Sequence, residues 1–372
     1  MLKQNLIAPP GGFLIAAVNL ASRSGLSLDK GQPTNPLRHP DWDARVTSLP
    51  NYSFFHSAAW AKVLVETYGY APNYFVANAT NDLCSVLPLM EVDSWLTGRR
   101  GVALPFTDGC EPLCPDGDSF KRLFQNAIEF GKIRGWKYLE CRGGRKYLEG
   151  IPASLTFYGH SLDLASGEDQ LFGRLESSTQ RAIRKAEKDG VTVEISQSLD
   201  AIGKFYSLQC KTRKKHGLPP QPFSIFSNIH KYIFLRNSGM VAVASWRKTP
   251  IAASVFFHLG DRAIYKYGAS DEKFQRLRGS NLVMWEAIKW YVQKGAKKLH
   301  LGKTSMANEG LRRFKLGWGT SEEKIEYFKF DFRKKKFVTD SDEAFGWHNQ
   351  IFQLLPNFVS RMTGKMLYRH WA

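Results

Sequence analysis

The chain has 372 residues, 43% hydrophobic and 13% aromatic, enough to core two or three domains and too apolar for a disordered polymer. Lys and Arg number 52 against 34 Asp and Glu; the net charge of +18 points to an anionic partner such as RNA, a phosphorylated cofactor, a membrane surface or an acidic glycan. The five cysteines are an odd number in a long chain, which argues against a disulfide scaffold. Cys110 and Cys114 lack the second pair of ligands a zinc site needs, so they read as reduced thiols of a cytosolic protein.

Near the N terminus, "GGFLIAAVNLA" is too short to span a bilayer. The Pro9-Pro10-Gly11-Gly12 interruption makes a signal peptide the lesser reading, and residues 1–40 read as a flexible lead-in. "SAAWAKVLVET" has helical spacing with Ser57 as N-cap. "YFVANA" and "CSVLPLMEV" predict two strands around Asn81-Asp82, and "GVALPF" a third. The loop "TDGCEPLCPDGD" leads to an amphipathic helix, "SFKRLFQNAIEFGKIRG", stopped by Gly135, and then to the strand "WKYLECR".

Between the halves lies "QLFGRLESSTQRAIRKAEKDGVTVEI". Ser177, Ser178 or Thr179 would cap its helix, Arg181, Arg184, Lys185 and Lys188 would share one face, and "VTVEI" begins a strand. "LDAIGKFYSLQCKTRKKHG" predicts a helix with a basic end. The first half's order then recurs. Two strands flank Lys248-Thr249-Pro250, "RAIYKYG" is a strand, "ASDEKFQRLRGS" a loop, "NLVMWEAIKWYVQKG" a helix, and "AKKLHLG" a strand. Gly295 and Gly268 each lie 160 residues after their counterparts Gly135 and Asp108, which suggests an internal duplication. The tail, "AFGWHNQIFQLLPNFVSRMTGKMLYRHWA", reads as an amphipathic helix interrupted at Pro356. Accordingly, the expected units are residues 1–40, a first module at 41–160, a second at 161–335, and a helical tail at 336–372.

In "QRLRGSN", Gly279 would open a helix start to a phosphate, Ser280 adds a hydroxyl, and Arg276 and Arg278 add charge. The acyl-CoA pyrophosphate signature of GNAT acyltransferases is Gln or Arg, two residues, Gly, one residue, then Gly or Ala. Arg276, Gly279 and Asn281 occupy those places, Asn281 departing from the small final residue. An ordinary capped helix with exposed arginines is the alternative reading.

"LPFTDGCEPL", "LESSTQRAIRKAEKDGVTVEI", "KTRKKHGLPPQP", "YKYGAS", "RGSNLVMWEAI" and "LHLGKTSMANEGLRRFKLGWGT" together resemble the FemAB-like branch of the GNAT superfamily, over roughly residues 52–330. That branch includes peptidoglycan-bridge aminoacyltransferases and acetyltransferase-like proteins of cellulose and exopolysaccharide synthesis. The resemblance implies an α/β fold of tandem GNAT-like modules, each a mixed sheet flanked by helices, with the donor cleft in the second. It implies transfer of an acyl or aminoacyl group from acyl-CoA or aminoacyl-tRNA to an amine or hydroxyl of a cell-envelope or exopolysaccharide precursor, without a metal. It also implies a cytoplasmic protein, peripheral at the inner membrane face. Relatives carry a Phe-Lys pair whose lysine stabilises developing negative charge, and Phe314-Lys315 matches it, which makes Lys315 the principal catalytic candidate.

The residues carry further candidates. A fixed donor aimed at a developing oxyanion is worth about 3–4 kcal/mol, and Lys315 or backbone N–H groups near Gly302 and Gly268 could serve. Asp108, Asp271 and Glu309 are loop carboxylates of which one could act as base, though each is more often a cap or turn residue. Lys303 and Gly302 follow the last predicted strand, beside the cleft. Tyr265 and Tyr267 alternate with Lys266, which would put both rings on one face, lining the cleft or packing in the core. Arg181, Arg184 and Lys185 could contact a polyanion such as tRNA, or simply be solvated. Cys141 and Cys210 lack an activating partner, so a covalent intermediate is not expected. The rival reading is a non-catalytic GNAT-fold scaffold that binds nucleic acid or anionic membrane. On either reading the tail from Ala344 to Ala372 could dock on the protein's own surface or rest on a membrane.

Overall fold

A computed structural model describes residues 32–79, 82–339 and 357–370. Most of the predicted lead-in, Asn81 of the first turn, and positions 340–356 and 371–372 of the tail lie outside the described residues. The helices are α1 (Trp42–Thr47), α2 (Ala58–Tyr68), α3 (Gly117–Arg134), α4 (Glu168–Arg174), α5 (Ser177–Lys188), α6 (Leu199–Lys215), α7 (Phe223–Tyr232), α8 (Gly279–Gln293), α9 (Glu309–Leu316) and α10 (Asn357–Leu367). The strands are β1 (Ala71–Ala79), β2 (Asp82–Val92), β3 (Arg100–Val102), β4 (Tyr138–Arg142), β5 (Leu155–Asp163), β6 (Thr192–Ser196), β7 (Gly239–Trp246), β8 (Thr249–Leu259), β9 (Arg262–Ser270), β10 (Lys298–Ser305), β11 (Ser321–Asp331) and β12 (Lys336–Val338).

These strands form one mixed sheet in the order β1-β2-β3-β4-β11-β5-β10-β9-β8-β7-β6, with β12 beside β11. The halves repeat. The β1–β2 hairpin, β3, α3 and β4 correspond to the β7–β8 hairpin, β9, α8 and β10, and both β3–β4 and β9–β10 are parallel pairs. Each crossover helix ends on a left-handed glycine, Gly135 (φ 69°) and Gly295 (φ 74°), a conformation only glycine adopts without strain.

β5 and β11, the two strands that join the halves, are not among the expected elements. Each follows its own half in the chain but pairs with the other: β5 lies on β10, β11 on β4, and the two pair with each other. β5 thus crosses the boundary expected at residue 160.

Alternating strand residues feed two faces. On one, α2, α6 and α7 share a core to which both halves contribute; Phe54 and Trp60 pack on Phe257 with ring centroids 4.8 and 5.8 Å apart. On the other, α3 covers the first half and α8 the second, each over its own cluster.

Three expectations are corrected. "GVALPF" is a strand only to Val102, because the buried Leu104 (φ 45°) and Phe106 (φ 62°) turn left-handed and carry the chain out of the sheet. The β7–β8 turn is at Arg247 and Lys248, both at positive φ as a tight hairpin requires, so Thr249-Pro250 already belong to β8. No Ser or Thr caps α5; its N-cap is Glu176, which makes no side-chain cap bond.

Candidate active site

Parallel β9 and β10 pair only from Arg262–Lys298 to Ile264–His300, then separate while both strands continue. β10 bulges there, with Gly302 left-handed at φ 72°. A Cβ on Gly302 would stand 3.2 Å from the Tyr265 carbonyl and 3.5 Å from Asp108 Oδ2. The bulge therefore brings backbone against a carboxylate from the first half, and its left-handed backbone is what favours glycine there.

Asp108 reaches this gap because of the left-handed turns at Leu104 and Phe106. Its Oδ2 accepts from Lys266 Nζ at 3.1 Å, and both side chains are nearly enclosed. Tyr327 of β11 holds the same loop by donating to the Asp108 carbonyl at 2.7 Å. Lys303 Nζ donates to the Tyr327 hydroxyl at 2.9 Å and sits 4.1 Å over the Phe157 ring.

Lys315 is 2% exposed. Its ammonium donates to the carbonyls of Gly302 (2.9 Å) and Lys303 (3.0 Å), which aims it at the bulge beside the gap. An ammonium has three donors, so one N–H is left for another acceptor. Burial pushes its pKa down to about 8, with Asp108 opposing and Lys266 reinforcing the shift. Burial and then Arg142 push Lys303 down to about 7, again against Asp108. Burial also works against an ionised Asp108, but Lys266 and Lys303 outweigh it and hold the carboxyl below the usual range. His300, pushed to about 4 mainly by burial, is neutral near pH 7 and accepts from the Gly302 N–H at 2.9 Å.

Next to this cluster is a cavity of about 320 Å³ at the start of α8, lined by Tyr265, Gly268, Arg278, Gly279, Asn281 and Phe314 among others. Tyr265 and Phe314, the neighbour of Lys315, connect it to the cluster. α8 begins without a side-chain cap: Arg278 is the N-cap, in the left-handed conformation (φ 57°), and no acid lies in the first turn. The Asn281 and Leu282 N–H groups donate to the Arg278 carbonyl, which leaves those of Gly279 and Ser280 for an outside acceptor in the field of the helix dipole. Gly279 packs flush on β8, where an added Cβ would come 2.9 Å from Ile251 Cδ1. An uncapped, acid-free helix start beside a cavity suits a phosphate-bearing donor.

The predicted residues divide into those brought together and those kept apart. Lys315, Asp108 and Gly302 converge on the gap, while Arg278, Gly279, Ser280 and Asn281 line the cavity. Lys303 does not line the cavity and faces Tyr327 and Phe157 instead. Arg276 is exposed and outside the cavity wall. Glu309 is exposed and 3.4 Å from Arg312 Nη1, whose other two guanidinium nitrogens bind Glu322, so Glu309 is not part of the Asp108 cluster. Asp271 caps the turn before α8 and pairs with Lys211 at 2.6 Å.

The two tyrosines are not on one face. A bulge at Lys266 pairs Val255 with Tyr267 and Phe256 with Tyr265, which reverses the alternation. Tyr265 lies on the cavity side, where a Cβ on Gly268 would collide with its hydroxyl. Tyr267 packs against Phe205 and Phe226 on the opposite face. Arg181, Arg184 and Lys185 are exposed on α5, Arg184 over the Phe172 ring and Lys185 bound to Asp189.

Sequence reasoning missed Lys266, Tyr327 and Arg142 as members of the site. A signal existed for Lys266: a lysine mid-strand between two tyrosines needs a buried counter-charge.

Residues 174–327 match the family model described as acetyltransferase (GNAT) domain. A search of curated protein sequences returns no match. Among solved structures, the fold is similar to that of FemX (TM-score 0.65, 16% identity, 78% of this chain and 95% of that one). It is also similar to L-PGS from Bacillus licheniformis (0.52, 11%, 91% and 99%) and to a tandem GNAT protein from the clavulanic acid biosynthesis pathway (0.52, 8%, 81% and 98%). The chain thus carries an acetyltransferase (GNAT) domain within a tandem GNAT-like α/β fold that resembles FemX.

Proposed function

We propose that the chain is an acyltransferase that passes an acetyl, other acyl or aminoacyl group from a phosphate-bearing donor to an amine or hydroxyl by direct attack. The observation that carries this reading is the buried Lys315 ammonium, held on two carbonyls beside the β9–β10 gap, with the adjacent Phe314 on the wall of the cavity at the uncapped start of α8. The donor would supply an activated thioester or ester carbonyl. The α8 N–H groups, with Arg278, would hold its phosphates, and Gly279 seats that helix start flush on β8.

The acceptor's nitrogen or oxygen would bond to the carbonyl carbon as the bond to sulfur or oxygen breaks, and the acceptor's proton would leave with the departing group or a base. Negative charge builds on the carbonyl oxygen and the leaving atom, and the free N–H of Lys315 is the fixed cation to meet it. Asp108 is too well stabilised as a carboxylate to be a strong base. Its role is to keep Lys315 protonated and Lys266 in place.

The partial pyrophosphate signature favours acyl-CoA over aminoacyl-tRNA as donor. The resemblance to the FemAB-like branch favours a cell-envelope or exopolysaccharide precursor as acceptor. Thermal-shift and native mass-spectrometric titration with acetyl-CoA and with charged tRNA test the reading. Retention of one of them supports it, and retention of neither leaves the scaffold reading in its place.

A further inference from the structure

The turn between β2 and β3 presents its largest apolar side chains to solvent. Trp95 is 87% and Leu96 54% exposed. The turn beneath them is tightly built: the Gly98 N–H donates to the Ser94 carbonyl at 2.7 Å, the Thr97 N–H to Ser94 Oγ at 3.0 Å, and Lys137 Nζ to the Thr97 carbonyl at 2.9 Å. Arg99 pairs with Asp93 and donates to the Arg134 carbonyl at 3.0 Å. That contact ties the turn to the end of α3, where Ile133 is 85% exposed and Lys132 is also exposed.

α10 is fixed to the same turn. The His370 carbonyl accepts from Arg100 at 2.8 Å, Ser94 Oγ and His370 Nδ1 are 2.8 Å apart, and the His370 ring meets Trp95 edge-on at 5.6 Å. Every fourth residue of this segment is buried: Ser360, Gly364 and Tyr368. A Cβ on Gly364 would collide with the Pro220 carbonyl, so this face is docked as closely as a helix can be. Two neighbouring stripes stay exposed, the cations Arg361, Lys365 and Arg369 and the apolar Val359, Met362 and Met366.

We propose that this surface rests on an anionic lipid bilayer. Trp95, Leu96, Ile133 and Met366 would enter the headgroup–acyl boundary, and Lys132, Lys365 and Arg369 would lie on lipid phosphates. Charge complementarity selects this occupant. The centre of a protein–protein interface is depleted of lysine, whereas here a cation accompanies the apolar side chains at each turn of α10. A projecting tryptophan suits the interface, where one end is apolar and the other wet. Among the described residues no helix is long and apolar enough to cross a membrane. The surface shares no residue with the donor cavity or the Lys315 cluster, so either reading can fail alone.

Co-sedimentation of the full chain with vesicles tests it, using phosphatidylcholine alone and phosphatidylcholine mixed with phosphatidylglycerol. Binding is expected to the mixed vesicles, weaker at high salt, and much less to the neutral ones. Trp95→Ser with Leu96→Ser should weaken it about tenfold or more, and Lys365→Gln roughly fivefold. Both variants should melt like the parent, because the altered side chains project into solvent. Failure of the parent to bind mixed vesicles, or variants that bind as well as the parent, overturns the proposal.

Discussion

α3 and α8 hold the same place in the two halves, yet their first turns are opposites. α3 is capped by Asp116, whose carboxylate accepts from the Ser119 N–H at 2.7 Å, and Asp118 adds a second negative charge. α8 has no side-chain cap and no acid, and an arginine precedes it. A helix start attracts anions; the first half satisfies that pull with its own carboxylates, and the second leaves it open. The segments before these helices differ in the same sense. β9 runs on to Ser270 and lines the cavity, whereas its counterpart stops at Val102, leaves the sheet and sends Asp108 into the other half's gap. A repeated architecture therefore need not mean two sites: on the proposed reading one half would hold the donor, while the other supplies a carboxylate.

Substitutions can break or sharpen this contrast. Lys315→Met should have the largest effect, lowering turnover about 10²–10³-fold, as for loss of one oxyanion donor. The stability change should stay under about 2 kcal/mol, since two carbonyls lose a partner while a buried charge is relieved. Because the protonated amine acts, the parent's rate should fall as pH rises through about 8, read from a pH–rate profile.

Asp108→Asn leaves Lys266 buried without its counter-ion. It should cost about 3 kcal/mol in denaturant unfolding. It should also move the alkaline fall in rate to lower pH, because Lys315 loses the negative charge that supports its proton.

Gly279→Val should raise the donor Kd about tenfold by pushing on Ile251 and Ala252, which line the cavity, and so displacing the start of α8. Gly117→Ala, at the first position of α3 where an added Cβ meets nothing, should leave donor binding unchanged, and calorimetry would compare the two. The smallest effect should be that of Asp116→Ala, which removes the α3 cap at about 1 kcal/mol of stability with no change in turnover.

Much of this contrast is legible in local sequence. The repeat shows in the 160-residue offsets, the open helix start in "RLRGSN", and the catalytic candidate in "FKLGWG". What escapes is non-local. β11 begins with "SEEK" and reads as polar surface; its place in the sheet comes from pairing with β4 and β5, far away in the chain. The bulge at Lys266 is a one-residue insertion with no local mark, and it alone separates Tyr265 from Tyr267. The Lys266–Asp108 pair spans 158 residues, so neither side chain signals its partner.

The central claim is that the donor's phosphates settle on α8 and not on α3. Hydrogen–deuterium exchange with saturating acetyl-CoA, and in parallel with charged tRNA, addresses it directly. With whichever donor binds, the amides of Gly279 and Ser280 should gain protection while those at 117–120 stay unchanged. Protection at the start of α3, or a bound donor that leaves the start of α8 unprotected, would contradict it.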